Sequence, residues 1–218
     1  MNFTATDLIN YMKQVVEVVE KEKDYLCELD RKLGDGDHGV TMSIGWQAIN
    51  DQLNNQLAEE IDCGKISTTV GMTFLNAVGS SVGPLYATGF MRAGQVVKGK
   101  SALTNDDLID YWIAFVNGVR DRGKAKVGDK TILDTLIPFG DVLVKETPLT
   151  KEFVKVFTEA VQAGEEGMKS TKDLISKIGR SSRLGERSIG AQDPGATSAY
   201  FILSTFLSFV ESKEEELV

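Results

Sequence analysis

The chain has 218 residues and a formal net charge of −8. At 42% hydrophobic and 26% charged it reads as globular and not disordered, and an acidic chain with no block of Lys or Arg is a poor partner for nucleic-acid backbones. No apolar run nears the ~20 residues of a membrane helix, and Met1 to Asp7 has neither the charged nor the apolar region of a signal peptide. Cys27 and Cys63 stand in no metal-binding spacing, so a cytoplasmic protein with two free thiols is expected.

The pattern is helical nearly throughout. Thr4 and Asp7 have capping-box spacing, with Asp in place of the usual Glu or Gln. Leu8, Met12, Val15, Val16 and Val19 then recur at helical period, and Met42, Trp46, Ile49 and Leu53 form a second stripe. A third helix is predicted over Ile66 to Ala77. Pro84 suits the first turn of a fourth, ending near Gly94. Thr104 and Asp107 repeat the capping pattern ahead of Leu108, Tyr111, Trp112 and Phe115. Thr131 to Lys145 reads as a helix kinked at Pro138. Thr150 is placed to cap a helix carrying Phe153, Val154, Phe157 and Val161, and Ser170 with Asp173 opens a short one. Asp193-Pro194 starts the last, with Tyr200, Leu203, Leu207 and Val210. The tail Glu214-Glu215-Glu216 opposes the helix dipole, so this end should fray. Short connections make neighbouring helices antiparallel. With no strand, long linker or repeat, residues 1–218 read as one all-α domain.

Four glycine-punctuated loops interrupt the helices: Asp30 to Gly39, Gly79 to Pro84, Gly128 to Thr131, and Gly179 to Gly195. The first places Asp30, Asp35, Asp37 and the only histidine, His38, around a short turn. Three carboxylates so close raise one another's pKa or take a counter-cation. Their oxygens suit Mg²⁺ or Ca²⁺. An EF-hand register fails, because Val40 would fall on the invariant glycine and Trp46 on the terminal glutamate. Mg²⁺ held partly by substrate phosphates fits better, and a solvated acidic turn is the plainer alternative. Ser80 and Ser81 precede a helix whose N-terminus could bind phosphate, or they simply cap it. Gly128 to Thr131 offers a hydroxyl and a cation at another helix start. The last loop holds Arg180, Arg183 and Arg187, suited to phosphates or a base. Together the loops describe a Mg-nucleotide site.

Leu33-Gly34-Asp35-Gly36-Asp37-His38-Gly39, Gly83-Pro84-Leu85-Tyr86, Gly128-Asp129-Lys130-Thr131, Leu184-Gly185-Glu186-Arg187-Ser188-Ile189-Gly190 and Gln192-Asp193-Pro194-Gly195-Ala196 resemble the nucleotide-binding L subunit of dihydroxyacetone kinase. The resemblance implies a closed barrel of about eight antiparallel helices with ADP or ATP at one end. It implies that Asp30, Asp35 and Asp37 hold two Mg²⁺ ions. His38, Ser80, Ser81, Gly83 and Thr131 would surround the phosphates, and Arg180, Gly185 and Asp193 would belong to a covering loop. His38, where the related fatty-acid kinase domain has threonine, favours the dihydroxyacetone branch. Arg183 and Ala191 depart from the family, which often has tyrosine and histidine there. The resemblance further implies a separate K subunit that holds dihydroxyacetone on its own histidine. Bound ADP would be rephosphorylated by a phosphohistidine protein of the phosphotransferase system. Exchangeable ATP serving a triose or tetrulose kinase, a regulatory subunit binding a transcription factor, and a non-catalytic interaction domain are the alternatives.

Overall fold

The computed structural model describes residues 1–147 and 152–215. Eight long helices follow one another: α1 Ala5–Arg31, α2 His38–Asn54, α3 Cys63–Ala77, α4 Val82–Val96, α5 Asn105–Gly123, α6 Leu133–Glu146, α7 Phe153–Ser170 and α8 Pro194–Glu215. Each packs on the next and α8 returns to α1, closing the ring. The C-terminal ends of α1, α3 and α5 and the N-terminal starts of α2, α4, α6 and α8 all border one cleft. At the far end the start of α1 meets the tail of α8, where Lys213 Nζ donates to Asp7 Oδ1 at 2.9 Å. Neighbouring helices are therefore antiparallel, and every second connection lies at the cleft end. The periodicities predict its helices, and the closed all-α barrel is the one that the family resemblance implies.

Local chemistry sets most boundaries. Thr4 and Thr104 each accept from the backbone N–H three residues on, and Asp7 and Asp107 reach back to the cap N–H, so both capping boxes form. α3 begins three residues earlier than its apolar stripe suggests, because Asp62 Oδ1 accepts from the N–H groups of Gly64 and Lys65. α6 runs unbroken through Pro138. The proline withdraws the N–H that Asp134's carbonyl would otherwise accept. Gly167 of α7 packs onto that carbonyl so closely that a Cβ would lie 2.0 Å from the oxygen. Ser170 and Asp173 do not open a separate helix: a single 3₁₀ turn, Thr171–Asp173, simply tightens the end of α7. Thr150 and Glu216 lie outside the described residues. A two-residue antiparallel pair, β1 (Phe3–Thr4) with β2 (Ala102–Leu103), is the one strand pairing among the described residues.

The barrel is filled, not hollow. Trp112 is fully buried at the hub of Tyr11, Tyr111, Phe115, Phe139, Phe157 and Phe206, with ring centroids 5.1 to 6.3 Å away and mostly edge-on. Trp46, Phe74, Phe90 and Tyr86 extend the cluster towards α2, α3 and α4. Cys27 and Cys63 are buried free thiols. Among the described residues no helix is long and apolar enough to cross a membrane.

Candidate functional site

The cleft has a volume of about 500 Å³ and is built from the loops at one end of the ring. Its first wall is the turn between α1 and α2. Asp30, on the last turn of α1, accepts from the N–H groups of Asp37 (2.9 Å) and His38 (3.2 Å) with Oδ2. It thus caps α2 from the neighbouring helix, while Asp37 makes no side-chain cap bond and keeps its carboxylate free. Gly36 sits at φ +78°, which favours glycine, and at Gly34 a Cβ would come within 2.7 Å of Asp30 Oδ1, so a side chain there would push on the Asp30 carboxylate. The result is a convergence of Asp30, Asp35 and Asp37, one oxygen of each lying within 4.8 Å of the others. Three hard oxygen donors at that spacing, two of them on exposed side chains, fit a Mg²⁺ site with room for phosphate oxygens.

His38 is half-buried, and its Nε2 lies 3.0 Å from Ser198 Oγ on α8, which Tyr86 OH also approaches at 3.0 Å. Burial pushes the imidazole pKa down to about 4 against the pull of Asp30, so His38 is neutral at physiological pH. The second wall is the start of α4. Ser81 makes no side-chain cap bond there, so ordinary serine capping does not explain the Gly79 to Gly83 loop. Ser80 and Ser81 line the cleft. Gly83 does not: its place is fixed by packing, since a Cβ would lie 2.4 Å from the Val78 carbonyl.

The third wall is the start of α6. Asp134 is fully buried and accepts from the N–H groups of Gly128 and Thr131, both at 2.6 Å. That engages the Thr131 N–H, while the Thr131 hydroxyl accepts from the Leu133 N–H at 3.2 Å and Thr131 itself lines the cleft. Lys130 is not the available cation that its loop suggested. It is 1% exposed, and its Nζ donates to the carbonyls of Leu174 (3.2 Å), Ser188 (2.5 Å) and Ala191 (2.6 Å).

The fourth wall is the segment between α7 and α8. It folds into a 3₁₀ stretch, Arg180–Ser188, broken at Gly185. Ile178, Gly179, Arg180 and Ser181 face the cleft, and Arg180 forms an ion pair with Asp35. Arg183, Gly185 and Arg187 stand outside the cleft lining. Asp193 caps α8 by accepting from Ala196 N–H at 2.8 Å, and burial raises its carboxyl pKa to about 7. The structure therefore gathers Asp30, Asp35, Asp37, His38, Ser80, Ser81, Thr131, Arg180 and Asp193 around one cleft, and leaves Gly83 and Gly185 out. Sequence reasoning passed over Arg122, Asp134 and Ser198. Arg122 is brought to the cleft lining, and Ser198 to His38 and Tyr86, only by closure of the ring, and Asp134, three residues from Thr131, alone carried a local signal.

Residues 32–208 match the family described as the DAK2 domain. The chain is 40% identical over 190 residues to the PEP-dependent dihydroxyacetone kinase 2 ADP-binding subunit DhaL of Listeria innocua, covering 87% of this chain and 88% of that one. It belongs to the DAK2 family of dihydroxyacetone kinase L subunits. The corresponding PEP-dependent subunit of Escherichia coli is 36% identical over 203 residues, covering 93% of this chain and 96% of that one. Among solved structures, the dihydroxyacetone kinase of C. freundii in complex with AMP-PNP and Mg²⁺ superposes with a TM-score of 0.69 at 22% identity. That match covers 92% of this chain but 33% of the solved one, so the barrel corresponds to about a third of that kinase.

Proposed function

We propose that residues 1–218 form a single nucleotide-binding unit, the L subunit of a dihydroxyacetone kinase. In this reading it carries ADP as a bound cofactor and transfers a phosphoryl group to dihydroxyacetone held by a separate K subunit. The observation that carries the reading is the convergence of three carboxylates beside two helix starts in a cleft of nucleotide size. Asp30, Asp35 and Asp37 would hold two Mg²⁺ ions, whose charge, when bound, neutralises the β- and γ-phosphates.

The chain's own residues do the positioning. The hydroxyls of Ser80 and Ser81 and the N-terminus of α4 offer donors to phosphate oxygens. The Thr131 hydroxyl serves from the opposite wall. His38 adds no repelling or competing charge, and Ser198 fixes its ring. Arg180, released from Asp35, can turn to the phosphates as cover. Leu33, Leu85, Ile132 and Ile178 give the cleft apolar surface against which a base can pack. The PEP-dependent relatives favour rephosphorylation of bound ADP by a phosphohistidine protein of the phosphotransferase system over exchange with free ATP. A cytoplasmic site of action follows from that donor.

The test is native mass spectrometry of the purified chain. Co-purifying ADP with magnesium, lost together on chelation, is the expected result. A chain that neither carries nor takes up ADP in the presence of Mg²⁺ would exclude the reading.

A further inference from the structure

Lys130 is a long cationic side chain buried almost completely, on a residue at φ +61°, and the proposed chemistry makes no use of it. A buried ammonium is costly unless all its donors are satisfied. Here its three hydrogen bonds match its three N–H groups, and all three acceptors are backbone carbonyls of the segment between α7 and α8. Their order along the chain is informative. Leu174 lies on the outgoing limb of the segment, and Ser188 and Ala191 lie on the returning limb. The tip that faces the cleft, Ile178 to Ser181, falls between them.

Other bonds tie the same two limbs. Gly190 N–H donates to the Lys172 carbonyl at 2.8 Å, and Ser176 N–H donates to Ser188 Oγ at 2.9 Å. Asp193 N–H donates to Thr171 Oγ1 at 2.9 Å. Only Lys130 joins both limbs to the start of α6, and hence to the barrel wall that carries Thr131. Lys177 adds two ties to this loop on the outgoing limb alone, a backbone bond from its N–H to the Asp129 carbonyl and an ion pair of its Nζ with Asp129 Oδ1 at 3.6 Å.

We propose that Lys130 is a positioning residue, an internal cation that pins the base of the covering segment to the cleft wall and so sets how long nucleotide is retained. The proposal rests on the nucleotide reading above. Three carbonyls converging on one point suit a compact ammonium with three rotatable donors, and not a planar guanidinium. With the base pinned, only the tip can open, and nucleotide leaves only through that smaller motion. Without the pin the returning limb loses its bonds to the start of α6, the outgoing limb keeps only those of Lys177, and a larger part of the segment from 174 to 191 can lift.

The test compares wild type with Lys130→Met, Lys130→Arg and Ser188→Ala. The last removes a tie between the two limbs while leaving the Lys130 bonds to the backbone carbonyls in place, and so is the control for limb-to-limb ties, and Lys130→Arg, which keeps a charged donor, serves if Lys130→Met fails to fold. Amide hydrogen exchange is measured without nucleotide, and ADP release is measured with Mg²⁺ and a fluorescent ADP analogue. Both Lys130 variants should lose exchange protection on both limbs within 174–191, Ser188→Ala should lose it only near Ser176 and Ser188, and the amides of α1 and α5 should keep theirs in all three. ADP release should accelerate by about tenfold or more in Lys130→Met, and Lys130→Arg should not restore the wild-type rate. Unchanged protection in every folded Lys130 variant overturns the pin, whatever Ser188→Ala shows. Lost protection with an unchanged release rate overturns its role in retention. Because the exchange arm contains no nucleotide, it decides the pin even if the wild-type chain binds no ADP, a result that would instead remove the nucleotide reading and with it the retention role.

Discussion

Asp30 does two things with one carboxylate. Oδ2 caps α2 through the N–H groups of Asp37 and His38, and the group as a whole faces Asp35 and Asp37. Asp37 contributes only to the second, since it makes no cap bond. The two residues should therefore separate stability from metal binding. Asp37→Asn should leave the urea midpoint close to wild type and lower Mg-dependent ADP affinity and phosphoryl transfer by about a hundredfold or more, because one of the three carboxylates that would hold the charge-neutralising Mg²⁺ is lost. Asp30→Ala should lose the same activity and also about 1 kcal/mol of stability, the worth of a helix cap. Mn²⁺ titration with ADP present, beside urea unfolding, distinguishes them. Equal destabilisation by both would show that the turn is held together by mutual contacts and not by Asp30 alone. The Arg180 ion pair with Asp35 joins two exposed side chains, so it gives little stability and can open readily.

At the scale of elements, the start of α8 carries a testable charge. Asp193 caps the helix, and burial raises its pKa to about 7 from an ordinary value near 3.8. Between those values the folded protein holds a proton that the unfolded chain has released, so stability falls as pH rises from about 4 to about 7. The contribution is absent below pH 4 and complete above pH 7. Asp193→Asn keeps an oxygen for the Ala196 N–H and removes the titration. Its urea midpoint relative to wild type should therefore rise between pH 4.5 and pH 7.5, and a constant difference would mean that Asp193 is ionised throughout. The helices themselves were largely legible in the sequence, because apolar period and caps are local: Thr4 with Asp7, Thr104 with Asp107, and Asp193 before Pro194 all act within one turn. The start of α3 was not, since Cys63 and Gly64 carry no helical signal and Asp62 supplies it. Within the site the carboxylates and serines were legible as residue types suited to cation and phosphate. Gly83 and Gly185 stand outside the cleft lining, and a glycine kept for close packing or a backbone break looks the same in sequence as one kept for a ligand. Lys130 was misread because its acceptors lie 44 to 61 residues away, and nothing near it in the chain shows that its charge is spent.

At the scale of the whole molecule, the ring places every chemically equipped connection at one end and fills the interior with aromatic side chains. Among the described residues the second pocket, about 350 Å³ between Met1, Thr104, Ile109 and Phe153, lies at the far end of the ring from the carboxylates, and in the proposed reading the groups facing the cleft serve cation, phosphate and base. The acceptor hydroxyl must then be brought from outside, to the mouth where Asp35, Asp37 and Arg180 are exposed. Phosphoryl transfer asks for alignment of the attacking oxygen more than for covalent help, so bringing the acceptor to that mouth is itself most of the missing catalysis. The isolated chain with ATP, Mg²⁺ and free dihydroxyacetone should accordingly show no turnover above the uncatalysed rate, and added K subunit should restore it. With ADP at catalytic concentration, turnover should further require the phosphohistidine donor; restoration by ATP in its absence would make the nucleotide an exchanging substrate. The pinned base of the covering segment leads to the same expectation from a different direction. A segment tied at both limbs to the start of α6 opens at its tip, which is enough to admit a phosphohistidine side chain or an acceptor hydroxyl to the terminal phosphate but not to release a whole nucleotide quickly. Loosening the pin through Lys130→Met should therefore shift the enzyme towards ATP-supported turnover, read as the ratio of ATP-driven to donor-driven rates with K subunit present. A ratio unchanged from wild type would separate nucleotide exchange from the covering segment.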